Sequence, residues 1–310
     1  MPTDFSGKSC LFCGGSSQRA FQARERMLGL GDQFTYLECQ ACGSLQISKV
    51  PNNLEIYYPK NYYSFQKLSQ SNPFVRMLKR IRMWAFQSFG IFSPIYGYWL
   101  QKLSIGKNAR IADVGCGNGQ LLYELYCGGF QNLEGYDPFM EKEIQVSPEL
   151  TLFPREIEKV EGSFDLIMMH HAFEHMEDPN TTLKACWEKL TPGGKLLVRL
   201  PVADAQIWKE KGDLWVQLDA PRHLTIPTVK GLSLLAEEVG FILDELEFDS
   251  SAFQFWGTEL YARGKKLNPE LVDLFYSEKE LKEMHKKALR YNQEGKGDQA
   301  CFYFSKPVKS

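Results

Sequence analysis

The segment Asp113-Val114-Gly115-Cys116-Gly117-Asn118-Gly119 combines an acid with glycines at alternate positions. An apolar run precedes it, and a helical pattern begins at Gln120. Glycine lets the backbone turn sharply and approach a ligand closely because it has no Cβ atom, and a helix start offers unpaired N–H groups. The segment therefore predicts a ligand-binding turn between a strand and a helix. Its predicted binding residues are Asp113, Gly115, Cys116, Gly117 and Gly119, with Cys116 interpreted as a small turn residue.

A second acid, Asp137, stands at the end of the next apolar segment, Leu133–Tyr136, and Pro138 follows it. A carboxylate at this position can accept two hydrogen bonds from the vicinal hydroxyls of a ribose. A dinucleotide loop reads G-x-G-x-x-G and serves a pyrophosphate, whereas this loop reads G-x-G-x-G after an acid. An acidic strand end suits a cationic amino-acid group better than a diphosphate. We therefore expect a ligand that contains a nucleoside and a positive charge.

Together with three further blocks, this loop resembles the class I methyltransferase family, whose first motif is D-x-G-x-G-x-G. The blocks are Gly135-Tyr136-Asp137, Phe164-Asp165-Leu166-Ile167-Met168-Met169-His170-His171-Ala172-Phe173-Glu174-His175, and Leu190-Thr191-Pro192-Gly193-Gly194-Lys195. They occur in the family's order over roughly residues 107–250. The resemblance implies a Rossmann-like methyltransferase fold and S-adenosylmethionine as the cofactor.

The resemblance also implies a role for each matching residue. Asp113, Gly115 and Gly117 would line the methionine part of the cofactor, Asp137 would hold the ribose, and Pro138 would lie near the adenine. Met169 and His170 would flank the cofactor from the end of the fourth strand. Many family members contact the adenine amine with an aspartate after the third strand. This sequence has no aspartate there, so that contact stays unassigned.

A histidine is predicted as the general base. Methyl transfer to a hydroxyl or an acidic carbon requires loss of a proton, and histidine is suited to that near neutral pH. The predicted catalytic residues are His223 and His171. The run His223-Leu224-Thr225 is similar to a segment of sugar C-methyltransferases that begin with a four-cysteine zinc domain, in which the matching histidine is the base. Alternatively, His223 anchors its loop or caps the helix that starts at Thr228.

Two CxxC pairs predict a metal site. Cys10 and Cys13 form one pair, and Cys39 and Cys42 form the other. Each pair is followed by a glycine, and four thiolates on two such turns match the tetrahedral geometry that structural Zn²⁺ prefers. A redox pair is the weaker alternative. The predicted ion is structural because four protein ligands leave no open position.

The elements that must position these residues follow from the hydrophobic pattern. Strands and helices alternate from about residue 107, which predicts an α/β fold with a doubly wound, mostly parallel seven-stranded sheet. A small zinc-ribbon-like module precedes it. The predicted strands are Ala109–Val114, Leu133–Tyr136, Leu150–Phe153, Phe164–Met169, Lys195–Leu200, Phe241–Phe248 and Gln299–Phe304, the last of them antiparallel at the sheet edge. The predicted regions are 1–50 for the zinc module, 51–104 for an aromatic and helical connector that covers the substrate side, and 105–310 for the catalytic domain.

The connector contains an aromatic stretch, Tyr57–Phe65, and a helical pattern, Phe74–Phe89. The aromatic stretch is interpreted as packing between the two domains or as one wall of a substrate pocket. The pattern Phe74–Phe89 is interpreted as a helix covering the catalytic domain. The alternative is a helix that lies on a membrane surface.

Composition narrows the function classes. The 310 residues carry a formal net charge of −2, so the sequence predicts no nucleic-acid partner. No apolar run is long enough to span a bilayer and no signal peptide is recognisable, so we expect a cytoplasmic protein. The predicted function is O- or C-methylation of a small molecule, with a sugar or nucleotide-sugar as the first candidate. Two alternatives stay open: a zinc-ribbon binding protein with a non-catalytic cofactor domain acting on RNA, and an NAD-linked oxidoreductase. The oligomeric state cannot be read from the sequence.

Overall fold

The computed structural model describes residue 7 and residues 9–59, 67–94 and 96–308. Most of the predicted aromatic stretch beyond Tyr58, including Tyr62, Tyr63 and Phe65, lies outside these residues. The helices are α1 Pro73–Phe89, α2 Tyr98–Lys102, α3 Gln120–Gly128, α4 Pro179–Lys189, α5 Gln206–Lys211, α6 Val229–Val239, α7 Phe253–Ala262, α8 Val272–Phe275 and α9 Glu278–Gln293. The strands are β1 Gln18–Arg24, β2 Gln33–Cys39, β3 Leu45–Ile47, β4 Arg110–Val114, β5 Asn132–Tyr136, β6 Ile144–Ser147, β7 Leu150–Phe153, β8 Phe164–His170, β9 Leu190–Pro201, β10 Thr225–Ile226, β11 Ile242–Phe248 and β12 Gln299–Ser305.

The main sheet has the order β11-β12-β9-β8-β4-β5-β7-β6. Strands β9, β8, β4, β5 and β7 run parallel to one another, while β12, β11 and β6 pair antiparallel. The predicted doubly wound, mostly parallel α/β fold is confirmed. The sheet has eight strands rather than seven, because the short strand β6 adds to one edge.

The predicted last strand does not lie at the edge. It pairs with the strand beside it as expected, but it is inserted between β9 and β11. In the structure, residues 299–304 are buried without interruption, which agrees with a central strand that has neighbours on both sides. Strand β11 instead takes the edge, and its first four residues are exposed.

Helices cover both faces of this sheet. Alternate residues of β4 point to opposite faces, and they belong to two separate hydrophobic cores. Ile111 lies in the same core as Leu122 of α3. Ala112 lies in the other core, together with Leu183 of α4 and Leu232 of α6. The carboxyl ends of β4, β5 and β8 are therefore held rigidly between two packed layers.

The N-terminal strands form a second sheet in the order β1-β2-β3-β10. Its fourth strand comes from the far part of the chain, since Thr225 pairs with Gln46 and Ile226 with Leu45. The predicted division at residues 50 and 104 remains a prediction. In three dimensions, the cysteine-containing segment shares its sheet with the loop that follows His223.

Helix α1 forms where the apolar and basic residues recur at helical spacing. The Asn72 side chain caps it by accepting a hydrogen bond from the Val75 N–H, and Gly90 ends it in the left-handed conformation. Its buried residues are Met83, Ala85 and Phe86. Phe74, Trp84 and Phe89 are exposed, so the helix covers the domain with one face only. In the part of the chain that the structure describes, no helix has the length and apolar character needed to cross a membrane.

Candidate active site

A cavity of about 920 Å³ opens at the carboxyl ends of the central parallel strands. Ligand pockets of about 300–1,000 Å³ are typical of small-molecule sites, so there is room for a nucleoside cofactor and part of an acceptor. The predicted site residues on its wall are Asp113, Gly115, Cys116, Gly117, Asp137, Pro138, His170 and His171. Gly119, Met169 and His223 do not line it.

The glycine turn has the tight geometry that its sequence requires. Gly115 has a φ of +75°, and a Cβ atom built on it would lie 2.4 Å from the Ala172 Cβ. Gly119 caps helix α3 with a φ of +78°, and a Cβ there would lie 2.6 Å from Leu152 Cδ1. L-residues with side chains avoid this left-handed region. Glycine is therefore needed at both positions, at Gly115 beside the cavity and at Gly119 for packing.

Asp137 points toward the glycine turn. Its Oδ2 accepts a hydrogen bond of 2.9 Å from the Gly117 N–H, and its Oδ1 accepts one of 2.9 Å from the Phe139 N–H. These bonds fix the carboxylate at the cavity wall. A carboxylate has about four lone-pair sites, so further acceptor capacity remains for ligand hydroxyls.

Asp113 supplies a second acid beneath the turn. Its side chain is buried at the end of β4, and burial together with the charge of Asp137 raises its pKa to about 8. The carboxyl group is therefore largely neutral at pH 7. A cation placed beside it would favour the ionised form, which makes Asp113 a suitable partner for a positively charged ligand group.

The two residues predicted to flank the cofactor at the end of β8 point to opposite faces of the strand. His170 lies on the cavity wall, and its ring packs 4.4 Å, centroid to centroid, from Trp99. Burial lowers the pKa of His170 well below its ordinary value, with smaller effects from Arg199 and His171. Met169 points to the opposite face of the strand and is fully buried in the core with Val114. This corrects the prediction that Met169 flanks the cofactor, since successive strand residues face opposite sides.

His171 is held from both sides of its ring. The Arg199 Nη1 lies 2.9 Å from its Nε2, and the Glu174 Oε1 lies 3.3 Å from its Nδ1. Arg199 is itself anchored by Asp249, with Nε 2.5 Å from Oδ2. Because guanidinium groups only donate, His171 Nε2 is the acceptor and Nδ1 carries the proton toward Glu174. Neither ring nitrogen is free to take a proton from a substrate.

His223 lies behind the cavity wall rather than on it. Its Nδ1 is 2.7 Å from the Gln217 carbonyl oxygen, and its backbone carbonyl accepts a hydrogen bond of 2.8 Å from the Tyr36 hydroxyl. Burial and the neighbouring His175 lower its pKa to about 4, far from the near-neutral value that suits a general base. The structure therefore corrects the prediction of His223 as the base. The alternative that His223 anchors its loop agrees with these contacts, and Thr228 caps α6 with its own side chain.

The four paired cysteines come together at the N-terminal sheet. Cys10 Sγ lies 3.6 Å from Cys42 Sγ, and Cys13 Sγ lies 3.6 Å from Cys39 Sγ. All four sulfurs lie within 4.8 Å of one another, and none forms a disulfide. With Zn–S bonds of about 2.3 Å, the sulfurs of a tetrahedral site are roughly 3.8 Å apart. The arrangement therefore fits a Cys₄ zinc site.

Several cavity residues were not identified from the sequence. Trp99 comes from a segment with no chemical motif, and Phe139 and Arg155 follow strand ends. Tyr58 also lines the cavity, and it belongs to the aromatic stretch interpreted as inter-domain packing or as one wall of a substrate pocket. One signal was present but not used: Arg199 is a charged residue inside the apolar run Leu196–Leu200 of β9. Such a residue in a central strand needs a partner, and here one partner, His171, lines the cavity.

Residues 94–246 match the model of a family described as a methyltransferase domain. The tRNA U34 carboxymethyltransferase from Helicobacter acinonychis is 27% identical over 148 residues, which are 44% of this chain and 56% of that protein. The protein of the same name from Azotobacter vinelandii is 29% identical over 152 residues, 44% of this chain and 46% of that protein. The chain thus spans about half the length of these curated relatives.

Among solved structures, the cyclopropane synthase MmaA2 from Mycobacterium tuberculosis is similar in part. It is 18% identical, with a TM-score of 0.44 that covers 67% of this chain and 81% of that chain. A likeness at this level carries no inference about activity.

The comparisons confirm one prediction and overturn two. The match to a methyltransferase domain confirms the predicted enzyme class and disfavours an NAD-linked oxidoreductase. The prediction of a small-molecule or sugar acceptor is wrong, because the curated relatives are named for transfer to tRNA. The prediction of no nucleic-acid partner is wrong for the same reason. The net charge did not predict the acceptor class because it averages over the whole surface, whereas nucleic-acid binding depends on local charged patches.

Proposed function

Since residues 94–246 are a methyltransferase domain of the class that uses S-adenosylmethionine, we propose that the protein methylates a nucleoside of RNA, with tRNA as the first acceptor to test. The observation that carries this proposal is the cavity at the strand ends, with acids on its inner wall and an exposed aromatic ring at its edge. The relatives named as tRNA U34 carboxymethyltransferases support the acceptor class.

The cofactor fits the inner half of this cavity. Asp113, Gly115, Cys116 and Gly117 would surround its methionine part, since the glycines leave the space that a Cβ would fill. Asp137 would accept hydrogen bonds from the ribose hydroxyls, and Pro138 would lie near the adenine. His170 would close the opposite side. Gly119 would act indirectly, by allowing α3 to start close to Leu152.

The outer half of the cavity suits a nucleobase. Phe139 is 76% exposed, and the Tyr58 ring stacks near it with 6.4 Å between the centroids. Exposed aromatic rings bind unstacked bases by stacking. Arg155 also lines the cavity and can pair with a phosphate. These three residues would receive a base that has left its stack, as enzymes acting on nucleobases require.

The chain's own residues align the acceptor and exclude water. The bound cofactor supplies a methyl group on a sulfonium, which is electrophilic and needs an acceptor atom directly behind it. Arg199 and Glu174 hold His171 in one orientation at the cavity wall, so His171 would position the acceptor rather than remove its proton. Trp99 and Ile157 would keep water from the reacting atoms, since both are buried and line the cavity.

Incubation of the full chain with methyl-labelled S-adenosylmethionine and unmodified tRNA transcripts tests the proposal. We expect label in the RNA, and mass spectrometry of its nucleosides identifies the nucleoside that carries the methyl group. Phe139→Ala should lower the rate about 5- to 150-fold, because stacking of one base contributes about 1–3 kcal/mol. It should leave cofactor affinity unchanged.

Phe92→Ala is the matched control, since Phe92 is 71% exposed and does not line the cavity. It should methylate RNA at the unmodified rate. Asp137→Ala, which removes the proposed ribose contact, is the negative control and should leave the RNA unlabelled. Cofactor binding without any label in RNA would overturn the proposed acceptor class. Equal rates for Phe139→Ala and Phe92→Ala would overturn the stacking surface.

The proposal also includes a structural Zn²⁺ ion, bound by Cys10, Cys13, Cys39 and Cys42. The sulfur distances support it, as does the position of the site beside α6. Thr228, the cap of α6, donates a hydrogen bond of 2.7 Å to the Cys42 carbonyl oxygen. The ion would therefore fix the N-terminal sheet against the catalytic domain. Reduced thiolates agree with the predicted cytoplasmic location, where disulfides are rare.

Zinc analysis of the purified chain tests this part separately. We expect about one zinc ion per chain, and loss of the ion with Cys13→Ser. Cys186→Ser is the matched control, because Cys186 is a buried cysteine outside the cluster. A zinc content well below one per chain, or one unchanged by Cys13→Ser, would contradict the Cys₄ site.

A further inference from the structure

A second group of metal-ligating side chains lies between the cavity and the N-terminal sheet. Glu174 is completely buried, and neither of its carboxylate oxygens accepts a hydrogen bond from the residues that the structure describes. His171 Nδ1 lies 3.3 Å from Oε1, in contact with the carboxylate but outside hydrogen-bonding geometry. A buried carboxylate is strongly disfavoured unless it is paired or coordinates a metal. The contact with His171 therefore satisfies only part of this carboxylate, which keeps lone pairs for a metal ion.

Two histidines face the same carboxylate with their lone pairs available. His175 Nδ1 lies 2.8 Å from the Arg222 carbonyl oxygen, and His223 Nδ1 lies 2.7 Å from the Gln217 carbonyl oxygen. A carbonyl oxygen only accepts, so each Nδ1 carries the proton and each Nε2 keeps its lone pair. Metal-bound histidines show this arrangement, in which the second ring nitrogen donates to a carbonyl or carboxylate.

The three ligands converge on one point. One carboxylate oxygen of Glu174 and one ring nitrogen from each of His175 and His223 all lie within 4.8 Å of one another. His223 Nε2 is 3.9 Å from Glu174 Oε1. Ligands bound at about 2.0–2.2 Å to one ion are roughly 3–3.5 Å apart, so only a small inward movement is required. Asp219, the other nearby carboxylate, is already held by Arg222 at 2.6 Å and 2.9 Å.

We propose that Glu174, His175 and His223 bind a divalent transition-metal ion. Two imidazoles and one carboxylate suit ions such as Mn²⁺, Fe²⁺ or Zn²⁺ and leave coordination positions open. His175 lies on the cavity wall, so the ion sits beside the acceptor space. There it can hold an acceptor oxygen and lower the pKa of a hydroxyl. That role rests on the proposed function, whereas the site itself does not.

The ligand type separates this site from the cysteine cluster. Thiolates select Zn²⁺, whereas Mn²⁺ prefers oxygen ligands and accepts imidazole in mixed sites. The full chain, loaded with one equivalent of zinc, is titrated with Mn²⁺ and followed by electron paramagnetic resonance. We expect one bound Mn²⁺ per chain, with spin-echo modulation from imidazole nitrogens. This measurement needs neither cofactor nor RNA, so its outcome is independent of the methyl-transfer test.

Glu174→Gln keeps the size of the side chain and removes its charge. It should weaken Mn²⁺ binding at least ~10-fold, because substitutions of residues that only support metal ligands already have effects of that size. His223→Asn should do the same. His285→Ala is the matched control, since His285 is exposed on α9, and it should bind Mn²⁺ with unchanged affinity. The proposal is overturned by the absence of a bound ion or of nitrogen modulation in the unmodified chain. Unchanged binding in Glu174→Gln would also overturn it.

Discussion

The glycine side and the histidine side of the cavity are assembled from different kinds of chain segment. On the glycine side, Asp113 and Asp137 end the neighbouring strands β4 and β5, which pair in register. On the histidine side, Tyr58 contacts His175, Glu174 accepts the Leu224 N–H through its carbonyl oxygen, and Arg222 bonds Glu25. The first side depends on adjacent elements of one sheet. The second depends on contacts between residues far apart in the chain.

This difference explains which predictions succeed. A strand, a glycine turn and a helix form a local unit, so a short motif already fixes where its residues lie. The position of His223 depends instead on Tyr36, Gln217 and a buried ion pair, none of which forms a recognisable pattern. The two sides should therefore respond differently to substitution: the histidine side through loss of folded structure, and the glycine side through loss of the cofactor.

The largest effect is expected from Arg222→Ala. Arg222 is completely buried and bonds both Asp219 and Glu25, with 3.1 Å to Glu25 Oε1. Removal of one partner from a buried ion pair costs about 3–5 kcal/mol, because the remaining charges stay unpaired. Urea unfolding should show a loss of this size. The exposed Arg263, whose contact to Glu259 lies on the surface, provides the control, and Arg263→Ala should change stability by less than ~1 kcal/mol. Similar losses in both variants would contradict a special role for the buried ion pairs of Arg222 with Asp219 and Glu25.

Much of the fold was accessible from the sequence for the same physical reason. The predicted strands Phe164–Met169 and Leu150–Phe153 lie within β8 and match β7, respectively. The insertion of β12 was not accessible, because the burial of residues 299–304 shows that a strand is central but not which strands flank it. The role of His223 was not accessible either, since a histidine in a loop looks the same whether it faces a cavity or a buried carboxylate.

The next-largest effect is expected from Gly115→Ala, and a comparison with Gly264→Ala separates the cost of close packing from the cost of backbone strain. Gly115→Ala places a methyl group 2.4 Å from the Ala172 Cβ at a positive φ, and strain plus overpacking should cost about 2–4 kcal/mol. Gly264 has a similar φ of +67°, but a Cβ there would have no heavy atom within 4 Å. Gly264→Ala should therefore cost only the backbone strain, about 1–2 kcal/mol. Calorimetry should show that Gly115→Ala also loses S-adenosylmethionine affinity, while Gly264→Ala keeps it. Equal behaviour of the two variants would mean that close packing at Gly115 has no role.

The smallest effect is a pH dependence confined to the glycine side. Burial and the charge of Asp137 raise the pKa of Asp113 to about 8, so the carboxyl must lose its proton when a cationic ligand binds beside it. Affinity for S-adenosylmethionine should therefore rise from pH 6 to pH 8, by at most ~10-fold per pH unit, and level off above the pKa. Asp113→Asn has no proton to release at this position. Its affinity for S-adenosylmethionine should therefore be weaker and should not show this part of the pH dependence. Titration calorimetry of both proteins in buffers of different ionisation enthalpy measures the released proton directly. A slope that persists unchanged in Asp113→Asn would assign the proton to another group, and the buried acid would then have no part in binding the sulfonium.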